Sequence, residues 1–547
     1  MRKIFLMMAF AGVSTAIAQD AYNNSVLLGN DLNGTARYMG MGGALEALGA
    51  DITTITTNPA GLGLMRHSNV SASLGMVFQG NAANFDDKSS SNVSFGHMGF
   101  VISGVGGDDD SYLNLAMSYH KHRNFNQILS AANALRGASL NKLAYAKQFL
   151  GKESNGGYYL DLNKDNTYIG WVESEGQYMN DRAYTYTQWD HVYSNAFVPQ
   201  VDPATGDDYF GYAEADMFNF DRAQRGWVSE FDFALSGNVN NRFLWGLGVA
   251  VYDIRYKSYS EYGEGLIAAD GSDIGTTVLA DEQKITGQGY DFKFGAILRP
   301  VESSPFRVGV YVHTPTWYKP TVRNSTTLYN RSKQGNHEHW SSSEEYKYCY
   351  NTPWLFGLSI GHTIGKELAL GASYEYQKYS AADTRVIDAE YENGRIESSS
   401  DTPQNHIAHE SFNGVSTLKL GVEYKPVSEV AIRLGYNYLS APNKKSGCRN
   451  TMVASYSNSY SSTPDYTNWD ATHRITAGFG YKISGWSIDL AYVYNTTKGE
   501  FHPYQSLGVV DHDDVGPVEE PVSANIPTVT PVSFKRHQLQ LTLGYTF

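Results

Sequence analysis

The sequence predicts an all-β protein: a fourteen-stranded antiparallel transmembrane β-barrel, plugged by its own N-terminal segment and carrying long external loops. Three observations carry this expectation. The composition, with 40 Tyr, 24 Phe, 9 Trp and 53 Gly in 547 residues, is one of strands and turns, because aromatic rings suit pleated surfaces and glycine permits tight reversals. Polar and apolar residues alternate strictly in segment after segment from residue 68 onward. The connections between those segments are alternately short and long.

The first element is a leader. MRKIFLMMAFAGVSTAIAQ has Arg2 and Lys3, an apolar stretch from Ile4 to Val13, and a small-x-small site at Ala16-Ile17-Ala18. Residues 1–18 therefore read as a secretory signal peptide, and export is expected. Elsewhere the mean hydropathy is low and no run approaches the ~18 apolar residues a membrane-spanning helix needs, so a helical membrane protein is excluded.

Residues 19–67 precede the first strand and form the expected plug, or hatch. In TARYMGMGGALEALGA, Gly40, Gly42, Gly43 and Gly49 weaken any free helix by up to about 1 kcal/mol each, so they should serve close backbone packing. In TTNPAGLG, Pro59 pushes Asn58 toward extended angles, the Asn58 side chain can close a local turn, and Ala60 and Gly61 complete the exit.

Residues 68–547 form the expected barrel. QLQLTLGYTF sets Leu539, Leu541, Leu543, Tyr545 and Phe547 on one face and Gln538, Gln540, Thr542 and Thr546 on the other. Strands are expected near 68–79, 93–104, 111–122, 227–239, 242–258, 284–300, 306–330, 343–364, 367–381, 412–425, 428–441, 471–484, 486–498 and 533–547. Every second link is tight, as at Asn240-Asn241, Gly365-Lys366, Pro426-Val427 and Gly485, which matches short periplasmic turns facing long external loops. A soluble sandwich alternates too, but nothing in it requires that regularity. Closure follows because lipid cannot satisfy a free strand edge.

The alternation turns Asp232, Asp291, Lys293, Arg299, Lys419, Glu423, Arg433 and Asp489 toward the lumen, where mixed charges should be joined by ion pairs and not line a wide pore. Tyrosines near strand ends, such as Tyr424, Tyr438 and Tyr545, suit the membrane interfaces. The loop 123–226 is too long for a simple connection. Its first part places Ile128, Leu129, Ala132, Leu135, Leu143 and Phe149 at helical spacing, and its remainder is rich in tyrosine.

No nucleophile-elbow, zincin or phosphate-loop pattern occurs, so no enzyme and no cofactor are expected. The pairs His337-Glu338-His339 and His406 with His409 lie in hydrophilic loops, where isolated histidine pairs usually bind neither metal nor haem, and the acidic turns with Asp202, Asp207 and Asp208 or Asp511, Asp513 and Asp514 lack the ordered spacing of a calcium loop, so no metal site is expected. Cys349 and Cys448, the two cysteines, are candidates for a single external disulfide. A net charge of −14 with no basic run argues against nucleic acid.

The stretch Ala36 to Ala44, the spacer ending near Asp51, and Asn58-Pro59-Ala60-Gly61 just before the first strand resemble the hatch of the FadL/TodX-type outer-membrane transport proteins. The resemblance implies passive uptake of hydrophobic small molecules such as long-chain fatty acids, by loop capture, hatch movement and lateral release into the bilayer. It implies as partners a hydrophobic ligand, the outer membrane and, through terminal Phe547, the barrel-insertion machinery; no ligand-contact residue can be carried over. A scaffold for assembly or secretion of surface proteins is the alternative function.

Overall fold

Fourteen antiparallel strands close on themselves in the computed structural model of the protein. The described residues are 20–547, apart from 108–109, 155–157, 163–167, 173–176, 179–185, 202–205, 207, 269, 334, 343–344, 392, 454 and 510–521. The expected signal peptide, Asp202, Asp207 and the acidic run 511–514 lie outside the described residues.

The wall strands are β1 Asn69–Gly80, β2 Ser91–Gly107, β3 Tyr112–Asn124, β4 Glu214–Val239, β5 Phe243–Ile267, β6 Asp273–Leu298 and β7 Arg307–His313, the last carried on by Trp317–Ser332. They continue through β8 Leu355–Ile364, β9 Leu368–Lys378, β10 Gly414–Val427, β11 Val430–Leu439, β12 Tyr466–Ile483, β13 Trp486–His502 and β14 Thr530–Thr546. Each pairs with its sequence neighbours, and β14 closes on β1 with Gly544 opposite Ser71. Closure leaves no membrane-level edge that would need a hydrogen-bond partner from lipid.

Which face is which is settled by the side chains. Leu541 is 42% exposed while its neighbour Gln540 is fully buried. The buried polar set reaches inward: Gln540 Nε2 donates to the Gly34 carbonyl at 3.4 Å, and Thr542 Oγ1 accepts from Ala36 N at 2.7 Å. Val70, Phe95, Leu115, Phe233, Leu358, Leu434 and Ile475 continue the outer apolar surface around the barrel. This is the reverse of a soluble fold, and it marks the outer face as the one that meets lipid. From Leu539 to Phe547 the strand covers roughly 30 Å, which at a tilt near 45° spans roughly 20 Å of membrane.

β4, β5 and β6 run for 26, 25 and 26 residues, more than twice what a bilayer requires. Their surplus rises on the long-loop side and buries a second core. Leu140 and Leu143 of a helix over Leu140–Ser154, with Trp189 and Tyr193, pack there with Phe218, Phe220, Tyr262 and Phe501.

The expected helix from Ile128 to Phe149 is only half realised. Gln127–Ala134 is a strand that prolongs β3 along Met217–Gln224 of β4, so Ile128, Leu129 and Ala132 are strand residues. A long partner edge outweighs a weak helical preference. The helix starts at Leu140, after Arg136 and Gly137 turn the chain at positive φ.

The candidate Cys349–Cys448 disulfide is not formed; both cysteines are free. Cys349 lies in the short strand Cys349–Asn351 opposite Arg385, whereas Cys448 sits beside Ser411 and Tyr466, so the two thiols belong to different packing environments.

Candidate functional site

Residues 20–65 lie inside the barrel as short helical turns, including Ala21–Asn24 and Ala36–Gly40, with little regular structure between them. Such a segment can be buried only if its polar groups find partners. Thr35 caps the second helix by accepting from Tyr38 N at 3.1 Å, and Asp51 accepts from Thr35 Oγ1 and from Thr53 N.

The Asn-Pro turn is built the same way. Asn58 is fully buried with extended angles; its Oδ1 accepts from Ala60 N at 3.2 Å and its Nδ2 donates to the Glu46 carbonyl at 3.3 Å. Pro59 opens a 3₁₀ helix over Pro59–Leu64, and the Gly61 carbonyl accepts from Ala50 N at 3.1 Å. The turn therefore ties the glycine-rich stretch to the chain entering β1.

The wall makes room for this segment with glycines. A β-carbon at Gly246 on β5 would lie 2.3 Å from the Pro59 carbonyl carbon, and one at Gly295 on β6 would lie 2.0 Å from Asn58 Oδ1. Gly371, Gly421 and Gly435 on β9, β10 and β11 leave the same space for Ala44, Met41 and Gly42. Close backbone approach is thus the role of glycine on both sides of the contact.

Charged side chains bind the segment to the wall. Arg37 Nε reaches Glu423 at 3.1 Å, Glu423 meets Arg433 at 2.6 Å, and Arg433 meets Asp489 at 2.6 Å. Lys419 holds Glu46 at 2.8 Å and Glu375 at 2.6 Å. A third group joins Lys293 to Glu230 and Asp232, beside Asp291, which accepts from Tyr252 Oη and Thr316 Oγ1.

Seven of the eight residues assigned to the lumen by alternation, Asp232, Asp291, Lys293, Lys419, Glu423, Arg433 and Asp489, are buried on the inner face in these groups. Arg299 is the exception. It lies one residue beyond β6 and donates to the Ser304 and Glu302 carbonyls of the following turn. Alternation holds only while the strand lasts. Glu230 and Glu375 were missed although each sits two residues from an inward polar side chain, Asp232 and Ser373. Arg37 and Glu46 had no periodic signal at all.

Between the first turns of the N-terminal segment and the wall, toward the long loops, lies a cavity of about 290 Å³. Tyr22, Leu28, Tyr379, Phe412 and Val415 give it an apolar and aromatic wall. Five arginines and three aspartates also line it. Arg222 is paired with Asp465 at 2.6 Å and Arg449 with Asp20 at 2.7 Å. Arg123, Arg474 and Arg536 remain, gathered around Asp31: Arg536 at 3.2 Å, Arg474 at 4.0 Å, and Arg123 donating to the Leu28 carbonyl. Burial alone would raise the Asp31 carboxyl, but Arg536, Arg474 and Arg123 together hold it below the ordinary aspartate value. Three guanidinium groups facing one carboxylate leave this side of the cavity positive.

Fold and site together define a closed antiparallel β-barrel with an apolar outer face of the kind that meets lipid, a bore occupied by residues 20–65 and an amphiphilic chamber beside them. No family model and no curated protein matches the chain. Among solved structures it is similar to the Ralstonia pickettii toluene transporter TbuX, at 12% identity over 94% of this chain and 99% of that one, with a TM-score of 0.46. It is similar to a FadL homologue of Pseudomonas aeruginosa at 13% identity over 95% and 99%, TM-score 0.46, and to the toluene transporter TodX of P. putida at 10% identity over 94% and 99%, TM-score 0.43.

Proposed function

We propose that this protein carries hydrophobic small molecules with an anionic head, long-chain fatty acids foremost, passively across the outer membrane. The chamber of about 290 Å³ carries the reading: an apolar tail packs against Leu28, Tyr379, Phe412 and Val415 while a carboxylate meets Arg123, Arg474 and Arg536. The ligand is captured at the external loops, settles in the chamber, and leaves laterally into the bilayer when the hatch, residues 19–67, shifts. Asn58, Pro59, Ala60 and Gly61 are the fixed turn through which that movement passes to the wall.

The test is binding of a radiolabelled long-chain fatty acid to delipidated full-length protein in detergent, followed by uptake in cells lacking other routes. The double variant Arg474→Ala/Arg536→Ala should bind roughly 10- to 100-fold more weakly, the loss expected for charged hydrogen bonds. Wild-type protein that binds no fatty acid, or a double variant that binds as well as wild type, overturns the reading. A stoichiometric surface-protein partner with no ligand bound would favour the scaffold alternative.

A further inference from the structure

The inner face of β3 carries a second arrangement that the transport reading leaves unused. His120 and His122 are two residues apart on one strand, so both imidazoles project to the same side. Across the sheet, Glu230 of β4 is the direct partner of His120. His120 Nε2 lies 3.1 Å from Glu230 Oε2, and His122 Nδ1 lies 2.7 Å from the same oxygen. The three side chains offer ligand atoms that all fall within 4.8 Å of one another.

We propose that His120, His122 and Glu230 form a binding site for a zinc-class divalent transition metal. Two imidazole nitrogens and one carboxylate oxygen are a donor set that suits such ions and not calcium or magnesium, which take oxygen alone. With bonds of about 2.1 Å, tetrahedral ligand atoms stand roughly 3.4 Å apart, so the His120 ring needs to withdraw by about 0.3 Å and the His122 ring by about 0.7 Å.

The surroundings fit the same assignment. Asp232 Oδ2 lies 3.5 Å from His120 Nδ1, the place of the carboxylate that orients a metal-bound imidazole through its other nitrogen. Lys293 holds the second oxygen of Glu230 and, at 2.6 Å, Asp232 Oδ1, which fixes both carboxylates. A cavity of about 20 Å³ touches all three proposed ligands and is large enough for one water as the fourth. His122 also lines a neighbouring cavity of about 60 Å³.

The experiment uses full-length protein in detergent, stripped with a chelator and desalted, with folding verified by the mobility difference between heated and unheated samples on a gel. Zinc binding is measured by calorimetry, and cobalt is added as a spectroscopic probe. Wild-type protein should take up about one zinc ion per chain and give the intense visible bands of tetrahedral cobalt. His122→Ala should weaken zinc at least ~10-fold, and His337→Ala/His339→Ala, in an external strand, should leave it unchanged. Folded wild-type protein without stoichiometric zinc, an octahedral cobalt spectrum, or unaltered affinity in folded His122→Ala would each overturn the proposal. Should His122→Ala fail to fold, the wild-type stoichiometry and spectrum decide by themselves.

Discussion

Gly295 of the wall stands so close to Asn58 that a β-carbon there would come 2.0 Å from the asparagine Oδ1. The Asn-Pro turn is rigid because of its own residues, and the wall accepts it because side chains have been removed from the facing strands.

That relationship predicts a contrast between two glycines of β5. A β-carbon at Gly246 meets Pro59 and Ala60 backbone atoms at 2.3 to 2.7 Å, whereas one at Gly248 finds its nearest neighbour at 3.5 Å. Gly246→Ala should cost about 1–3 kcal/mol and loosen the N-terminal segment, which limited proteolysis would detect. Gly248→Ala should leave the digestion pattern as it is.

Lys419 is the single ammonium between Glu46 and Glu375. Lys419→Met should destabilise the folded barrel by roughly 3–5 kcal/mol, because two carboxylates are left buried without their cation. Adding Glu46→Gln and Glu375→Gln should recover most of that loss. Thermal unfolding in detergent, followed by tryptophan fluorescence, compares the variants; no recovery in the triple variant would mean that shape and not charge governs this contact.

Asp31 predicts an acid limb. Its folded carboxyl is held below the ordinary 3.8 by arginines, so in the window beneath that value the unfolded chain binds the extra proton. The contribution to stability is therefore fully present at neutral pH and is lost as pH falls below the ordinary value toward the folded one. Asp31→Asn should be less stable than wild type at neutral pH, and the gap should narrow on acidification. Melting curves at stepwise lower pH measure it.

The outer face predicts a lipid-specific effect. Leu541→Arg should cost about 2–4 kcal/mol if that position lies near the bilayer midplane, seen as reduced insertion into lipid vesicles. Equal insertion by wild type and variant would contradict the assignment of this face to lipid.

The wall was legible because its code is local. One residue in two faces lipid, so a strand such as Leu539 to Phe547 announces both its conformation and its inner face, and the short turns at Asn240-Asn241 and Gly485 announce the pairing order. The code failed where the strand ended, at Arg299, and where a neighbouring edge could capture a segment of mixed preference, at Gln127–Ala134. Proximity of cysteines is a three-dimensional fact, and two thiols in a chain of this length carry no information about it.

By itself the sequence determined that strands would alternate, that they would be even in number and close, and that a glycine-rich, proline-stiffened piece would precede them, since periodicity and backbone restriction act between near neighbours. Only the tertiary structure decided which carboxylate meets which guanidinium, that Arg37 and Glu46 both pair with β10, through Glu423 and Lys419, that three arginines converge on Asp31, and that His120 and His122 meet Glu230. Those contacts join residues up to hundreds of positions apart, and they arise from the register and closure of the whole barrel, which no short window of residues contains.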